Sequence, residues 1–156
     1  MRYVILFLLA ASVFAATPVA SITSSSDFEL SGVGVTVAGV PSWPLMAGDT
    51  VVAGTSAARI RFVDGTLVTL GPWSKVTVQE KKDDLSLRLM NGFISFTLAP
   101  SSALSVYSGN TQVQAQPGVT TTASAGGAAT NGLLPLPPGL PPLPHPPGLP
   151  PTLSQH

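Results

Sequence analysis

Short runs of alternating apolar and polar residues fill the centre of the chain, from residue 28 to residue 116. A period of two is typical of half-buried β-strands, and the abundant Val and Thr suit pleated surfaces. Gly, Asn and Asp interrupt the runs about every 8–12 residues, as in small all-β domains. We therefore predict an all-β fold, a small antiparallel sandwich or roll of eight to nine short strands. The candidate strands are residues 33–40, 50–54, 57–63, 67–71, 75–80, 85–90, 93–98, 104–108 and 111–116.

Asn91-Gly92 is a turn signal between two strongly apolar runs. Paired residues of an antiparallel hairpin face the same side of the sheet. A two-residue type I′ turn at Asn91-Gly92 would pair Leu89 with Ile94 and align the apolar positions beyond them. The pattern therefore predicts a hairpin whose large apolar residues share one face: Leu85, Leu87, Leu89, Ile94, Phe96 and Leu98.

Asp64-Gly65 is a second turn signal, with an apolar set on each side. Aligning Phe62 with Val68 requires a loop of odd length, such as residues 64–66 with Gly65 in a bulge. The alternative is that the chain turns a corner here into a second sheet. The residues leave both arrangements open.

The first 15 residues have the pattern of a secretory signal peptide. Arg2 supplies a positive start, an apolar run follows from residue 4 to residue 16, and Val13 and Ala15 occupy the positions that a signal peptidase reads. We expect cleavage after Ala15, and the alternative is a retained membrane anchor. No later segment is long and apolar enough to span a bilayer, so the mature protein is expected to be periplasmic or secreted.

Three segments lack the strand pattern and bound the predicted β domain at residues 28–118. Residues 16–27 are small and polar, which predicts a flexible N-terminal segment. Residues 119–132 hold no large side chain except Val119, which predicts a flexible linker.

Residues 133–156 hold ten Pro and two copies of PPGLPP, at 137–142 and 146–151. This composition predicts a disordered tail that favours polyproline II. It is either a ligand for an aromatic groove or a passive spacer.

Composition narrows the possible functions. Charged residues make up 9% of the chain, with seven bases and seven acids, so no basic tract for nucleic acid is present. The absence of Cys excludes disulfides and thiolate chemistry. The two histidines, His145 and His156, lie in the proline-rich tail, far from any rigid partner for proton transfer. We predict that the protein is not an enzyme and that it holds no cofactor or metal.

Trp43 and Trp73 are the candidate partner-contact residues. Each lies beside Pro in a predicted loop, within Pro41-Ser42-Trp43-Pro44 and Gly71-Pro72-Trp73-Ser74. Rigidly held aromatic rings on loops can serve as contact platforms for a ligand or partner. The alternative for each ring is that it caps one end of the core.

Residues 33–116 resemble the FecR domain, a module of bacterial extracytoplasmic proteins. The resemblance is carried by Gly48-Asp49-Thr50-Val51, by residues 58–66 (ARIRFVDGT), by Val68-Thr69-Leu70 and by residues 85–96. It implies an extracytoplasmic β module that binds or scaffolds in the bacterial cell envelope. Regulatory FecR proteins also carry a cytoplasmic segment that binds a sigma factor and an internal membrane helix, and neither is found in this sequence.

Three functions follow as hypotheses. The first is a non-enzymatic binding or scaffolding protein of the envelope, with an envelope protein or a glycan as partner. The second is a FecR-type periplasmic sensor that acts with a separate membrane partner. The third is a carbohydrate-binding module that uses Trp43 and Trp73. The sequence leaves the oligomeric state open.

Overall fold

The computed structural model describes residues 16–127 and 130–131. Across these residues the chain forms fourteen strands and no helix, which confirms the all-β fold class. The predicted signal peptide at residues 1–15 and the proline-rich tail at 133–156 lie outside the described residues. In chain order the strands are β1 (Ala20–Ser24), β2 (Phe28–Leu30), β3 (Val33–Val35), β4 (Trp43–Leu45), β5 (Thr50–Val52), β6 (Ala58–Phe62), β7 (Leu67–Leu70), β8 (Lys75–Lys81), β9 (Asp84–Asn91), β10 (Phe93–Thr97), β11 (Ser105–Ser108), β12 (Thr111–Gln112), β13 (Thr120–Ser124) and β14 (Thr130–Asn131).

The strands form two seven-stranded sheets. Sheet I has the order β14-β13-β10-β7-β6-β1-β4, and sheet II has the order β12-β11-β9-β8-β5-β2-β3. All pairs in sheet I are antiparallel, and sheet II contains one parallel pair, β9 with β11. The architecture is therefore a sandwich of mixed pairing.

The two sheets enclose one apolar core. Inward residues of both sheets, such as Ile60 and Val76, have no exposed surface. Complete burial of such a side chain stabilises the fold by about 1.5–3 kcal/mol. At one side of the sandwich Trp43 of β4 contacts Phe28 of β2, and at the other the Ser108 hydroxyl donates to the Ser124 carbonyl at 2.7 Å. These contacts place β4 against β2 and β13 against β11.

All nine predicted strands overlap an observed strand, but the predicted set was incomplete. Residues 16–27, expected to be a flexible N-terminal segment, contain β1, which lies between β4 and β6. Ile22 of β1 is fully buried, whereas its neighbour Thr23 is exposed. The alternation is present in the sequence, but small residues on both faces obscured it. Strands β2 and β4 were also not predicted.

The predicted linker at residues 119–132 contains β13 and β14, so this prediction also needs correction. Strand β13 pairs with β10 over five residues, from Thr120 opposite Thr97 to Ser124 opposite Phe93. Thr121 and Ala123 point inward and are buried. These small side chains add little apolar area, and the backbone ladder with β10 orders the segment.

The predicted hairpin at Asn91-Gly92 was wrong. Strands β9 and β10 lie in different sheets, where Leu89 pairs with Val76 and Ile94 pairs with Leu70. Gly92, with a φ of +80°, marks the corner between them. The six apolar residues do face one core, but they reach it from opposite sheets. Alternation cannot distinguish these arrangements because both leave the same residues buried.

The hairpin at Asp64-Gly65 is present, with a register two residues from the predicted one. Ile60 pairs with Val68, and the Phe62 N–H donates to the Thr66 carbonyl at 2.9 Å. The loop is therefore residues 63–65, and Gly65 has the positive φ of +92° that a bulged three-residue loop requires. Thr66 takes the inward position that the prediction assigned to the loop.

Candidate partner-binding site

Two crossings between the sheets meet at one end of the sandwich. Residues 71–74 lead from β7 to β8, and the Asn91-Gly92 corner leads from β9 to β10. We call this region, residues 71–74 with residues 90–93, the tryptophan end. The structure thus brings the predicted contact residue Trp73 together with the predicted turn pair Asn91-Gly92, which begins eighteen positions further along the chain.

Ser74 joins the two crossings. Its side chain is fully buried, and its hydroxyl donates to the Phe93 carbonyl at 2.9 Å and accepts from the Phe93 N–H at 3.0 Å. The Gly71 N–H donates to the same carbonyl at 3.0 Å. A Cβ on Gly92 would lie 2.8 Å from the Ser74 Cα, so this close approach requires glycine. Ser74 is not among the predicted site residues, because nothing in its local sequence indicates the contact.

Trp73 is presented to solvent on a well-anchored backbone. Its φ is +62°, and its N–H donates to the Gly54 carbonyl at 3.1 Å. The side chain is 63% exposed. Met90 and Phe93, at the same end, are about half exposed. Large exposed apolar side chains gathered at one place are typical of an interaction surface.

A shallow groove of about 350 Å³ runs beside Trp73 on sheet II; we call it the Trp73 groove. The strands β2, β3 and β5 and the chain after β5 form its other walls. Gly34 leaves open space on one side. The lining combines aromatic and apolar side chains with two carboxylates, and it contains no cationic residue: Asp27, Phe28, Glu29, Gly34, Val35, Thr36, Val52, Ala53, Gly54 and Trp73.

Trp43 does not line this groove. It lies in β4, opposite Ile22 of β1, and is half-buried. Its ring meets the Phe28 ring edge-to-face, with centroids 5.8 Å apart and an interplanar angle of 85°. Trp43 therefore packs against the core, as the capping alternative had it. It supports the groove from behind, through Phe28.

The Asp64-Gly65 turn lies at the other end of β7, in a polar cluster with Thr66 and Ser102. The Asp64 carboxylate accepts from the Thr66 N–H at 2.8 Å and from the Ser102 hydroxyl at 2.5 Å. The Thr66 hydroxyl donates to Ser102 at 2.9 Å and accepts from the Ala99 N–H at 3.1 Å. These bonds allow Thr66 to be fully buried.

Burial raises the pKa of Asp64, but the hydrogen bonds from Ser102 and Thr66 outweigh it. Together they hold the pKa of this carboxyl below its ordinary value of 3.8. The hydrogen bonds favour the charged form because a carboxylate is a stronger acceptor than a carboxylic acid. Asp64 therefore fixes the loop between β6 and β7, and it faces Ser102 rather than the Trp73 groove.

A family model described as FecR protein matches residues 49–131. The matched segment covers more than half of the chain and runs from the residue before β5 to the end of β14. The chain belongs to the FecR family. No curated protein and no solved structure matches it.

The FecR match includes Trp73 and the Asn91-Gly92 corner, but it begins after Trp43 and after the residues that β2 and β3 contribute to the groove. It extends past Gln116, the end of the resemblance seen in the sequence, through β13 and β14. FecR proteins are regulatory sensors that act with partner proteins, and their domains are generally periplasmic. Family membership therefore suggests an extracytoplasmic location.

Two further properties of this FecR protein concern membranes and metals. Over residues 16–127 and 130–131, no helix has the length and apolar character needed to cross a membrane. In the same ranges, no three acidic or histidine side chains are grouped closely enough to hold a metal ion.

Proposed function

We propose that this protein is a non-enzymatic, extracytoplasmic FecR-domain protein that binds a partner protein in the bacterial cell envelope through the Trp73 groove. The observation that carries the proposal is the exposed ring of Trp73 on an anchored backbone, beside an open groove. A backbone that is already fixed loses little further conformational freedom on binding, so the apolar surface of the ring contributes more fully to affinity. Tryptophan is also among the residues most enriched at the energetic centres of interfaces.

The lining of the groove suits a binding role. Its polar side chains are Asp27, Glu29 and Thr36, whose oxygen atoms can accept hydrogen bonds from a bound partner. Val35 and Val52 provide apolar surface beside the ring. This mixture suits a partner that brings an apolar anchor and a polar or basic rim.

The sensor form of this function is a second candidate, and membership of the FecR family favours it. In that form the partner would be a separate membrane regulator, and binding would transmit a signal. Co-purification from solubilised envelopes tests it directly. Recovery of one transmembrane protein with the wild-type chain, lost in the Trp73→Ala variant, would support the sensor form over a scaffold.

A carbohydrate ligand is a third candidate, favoured by the position of Trp73 beside Asp27 and Glu29. An exposed indole face can stack on a sugar ring, and carboxylates can accept hydrogen bonds from its hydroxyl groups. Trp43 lies outside the groove and packs on Phe28, so this candidate is argued from Trp73 alone. A panel of wall glycans should quench the fluorescence of Trp73 if this candidate holds, and an unchanged spectrum with the whole panel would exclude it.

Site-specific photo-cross-linking in intact cells tests the leading proposal. A photo-reactive amino acid would replace Trp73 in one variant and Val63 in a control variant. Val63 is 79% exposed and lies in the loop between β6 and β7, at the other end of β7. We expect cross-links to a discrete envelope protein from position 73 and not from position 63. Equal cross-linking from both positions, or none from position 73, would contradict the proposed site.

A further inference from the structure

We propose that the Trp73 groove also binds a segment of this same chain, the second PPGLPP copy at Pro146–Pro151, which then competes with the envelope partner. The inference rests on the proposed function of the groove, because it names what occupies that site when no partner is present.

The chemistry of the groove fits a proline-rich ligand. Such segments dock in aromatic-lined grooves, where pyrrolidine rings pack on exposed indole and apolar surface. Trp73 offers an exposed ring, and Val35 and Val52 extend the apolar surface beside it. The carboxylate residues Asp27 and Glu29 are themselves exposed, so they can stay hydrated when an uncharged ligand docks.

The chemistry of the segment complements this groove. Residues 132–156 contain no Lys, Arg, Asp or Glu, so their contacts would be apolar or through the backbone. Polyproline II has three residues per turn and needs little further ordering on binding. The two PPGLPP copies are offset by nine residues, so a continuous polyproline II segment presents both with the same face.

The two PPGLPP copies differ in how far they can extend from β14 toward the groove. Strand β14 is an edge of sheet I on the β11 side of the sandwich, whereas the groove lies over β2, β3 and β5. The path from β14 crosses about 10 Å between the sheets and then four to six strand spacings, roughly 30–40 Å in all. The first copy starts six residues after Asn131 and reaches about 19 Å, whereas the second starts fifteen residues after it and reaches about 46 Å. Only the second copy can therefore reach the groove of its own chain with all six of its residues.

An intramolecular ligand is favoured by its effective concentration. A flexible connection of this length supplies a local concentration of about 1 mM, so a weak site with a Kd of about 0.1 mM would be mostly occupied. A partner must then bind more tightly than the tail in order to displace it. The tail sets a threshold for partner binding.

Fluorescence quenching of Trp73 by acrylamide tests the proposal in the full chain. A Trp43→Phe background leaves Trp73 as the only tryptophan and keeps an aromatic ring on Phe28. In one variant the four prolines of the second copy become Ser: Pro146, Pro147, Pro150 and Pro151. The matched control changes the first copy in the same way: Pro137, Pro138, Pro141 and Pro142.

We expect the second-copy variant to raise the quenching constant of Trp73 about twofold, as a mostly covered ring becomes free, and the control to leave it unchanged. A synthetic PPGLPP peptide at millimolar concentration should restore protection to the second-copy variant. Equal quenching in the parent and both variants would overturn the proposal. Equal increases in both variants, or protection that disappears on dilution, would overturn docking within one chain.

The indole N–H resonance of Trp73 gives a second measurement that needs no Trp43 substitution. It should shift in the second-copy variant and stay in place in the first-copy variant. No shift in either variant would contradict tail docking. Cross-linking to an envelope protein from position 73 could still succeed, so failure of the tail proposal and failure of the proposed function are distinguishable.

Discussion

Ser74 and Phe93 exchange two hydrogen bonds across the join between the sheets, at 2.9 Å and 3.0 Å. One hydroxyl group satisfies both the N–H and the C=O of a residue nineteen positions away. The Ser74 side chain is fully buried, so water cannot take its place in the folded chain. The pair sets the position of the loop that carries Trp73.

Replacement of Ser74 by Ala should destabilise the protein. The Phe93 N–H loses its partner, and an unsatisfied buried polar group costs about 1–3 kcal/mol. The midpoint of urea unfolding measures the loss. Ser25→Ala, at an exposed position in the turn after β1, is the control and should change the free energy of unfolding by less than about 0.5 kcal/mol. Equal effects of the two variants would contradict the role assigned to Ser74.

Gly92→Ala should be more harmful than Gly109→Ala. Both glycines have positive φ values, +80° and +58°, so both variants carry the backbone cost of a side chain there, about 1–2 kcal/mol. A Cβ at Gly92 also meets Ser74, whereas a Cβ at Gly109 meets nothing within 4 Å. The difference between the two free energies of unfolding therefore isolates the steric term. Equal losses would show that the corner relaxes around the new methyl group.

Substitutions of the two tryptophans should have different effects, one on stability and the other on partner binding. Trp43→Ala removes a half-buried ring that contacts Phe28, and we expect a loss of about 2–3 kcal/mol in the free energy of unfolding. Trp73→Ala removes a mostly exposed ring and should cost about 0.5 kcal/mol or less. Partner capture should fail only in Trp73→Ala. A large stability loss in that variant would instead assign Trp73 to the core.

Protonation of the Asp64 carboxylate should lower the free energy of unfolding at acid pH. Because its pKa is lowered in the folded chain, the charged form binds its partners, and the stabilisation is fully present above the ordinary value of 3.8. It is lost as the pH falls through the lower folded value. The stability difference between wild type and Asp64→Asn should thus be constant near neutral pH and shrink below 3.8. Ser102→Ala should bring the pKa of Asp64 back toward 3.8, and an unchanged acid profile in that variant would contradict the assignment.

Local patterns predicted the strands that carry strong alternation and failed where side chains are small. β6, with its alternation of Ala58, Ile60 and Phe62 against two arginines, was clear from the residues alone. β13 buries only Thr121 and Ala123, and it is held by its backbone ladder to β10. Such a strand has almost no hydrophobic signal of its own, so only its neighbour reveals it.

The candidate site was predicted in parts that only the fold connects. Trp73 and Asn91-Gly92 each carry a local sequence signal, a Pro-flanked aromatic ring and a turn pair. Their meeting depends on Ser74 and Phe93, which are far apart in sequence and lie in different sheets. The acids Asp27 and Glu29 reach the groove through strand pairing of β2 with β3 and β5. No spacing rule along the chain encodes these contacts.

The anchoring of Trp73 has a mechanical consequence. Its own N–H is tied to Gly54, which follows β5 of sheet II, and the adjacent Ser74 is tied to Phe93 of sheet I. A tensile load applied at the ring is therefore shared between the two layers and acts on several hydrogen bonds in parallel. A partner tethered elsewhere in the envelope that pulls on this ring would load β5 and β10, which are interior strands of the two sheets, rather than an edge strand.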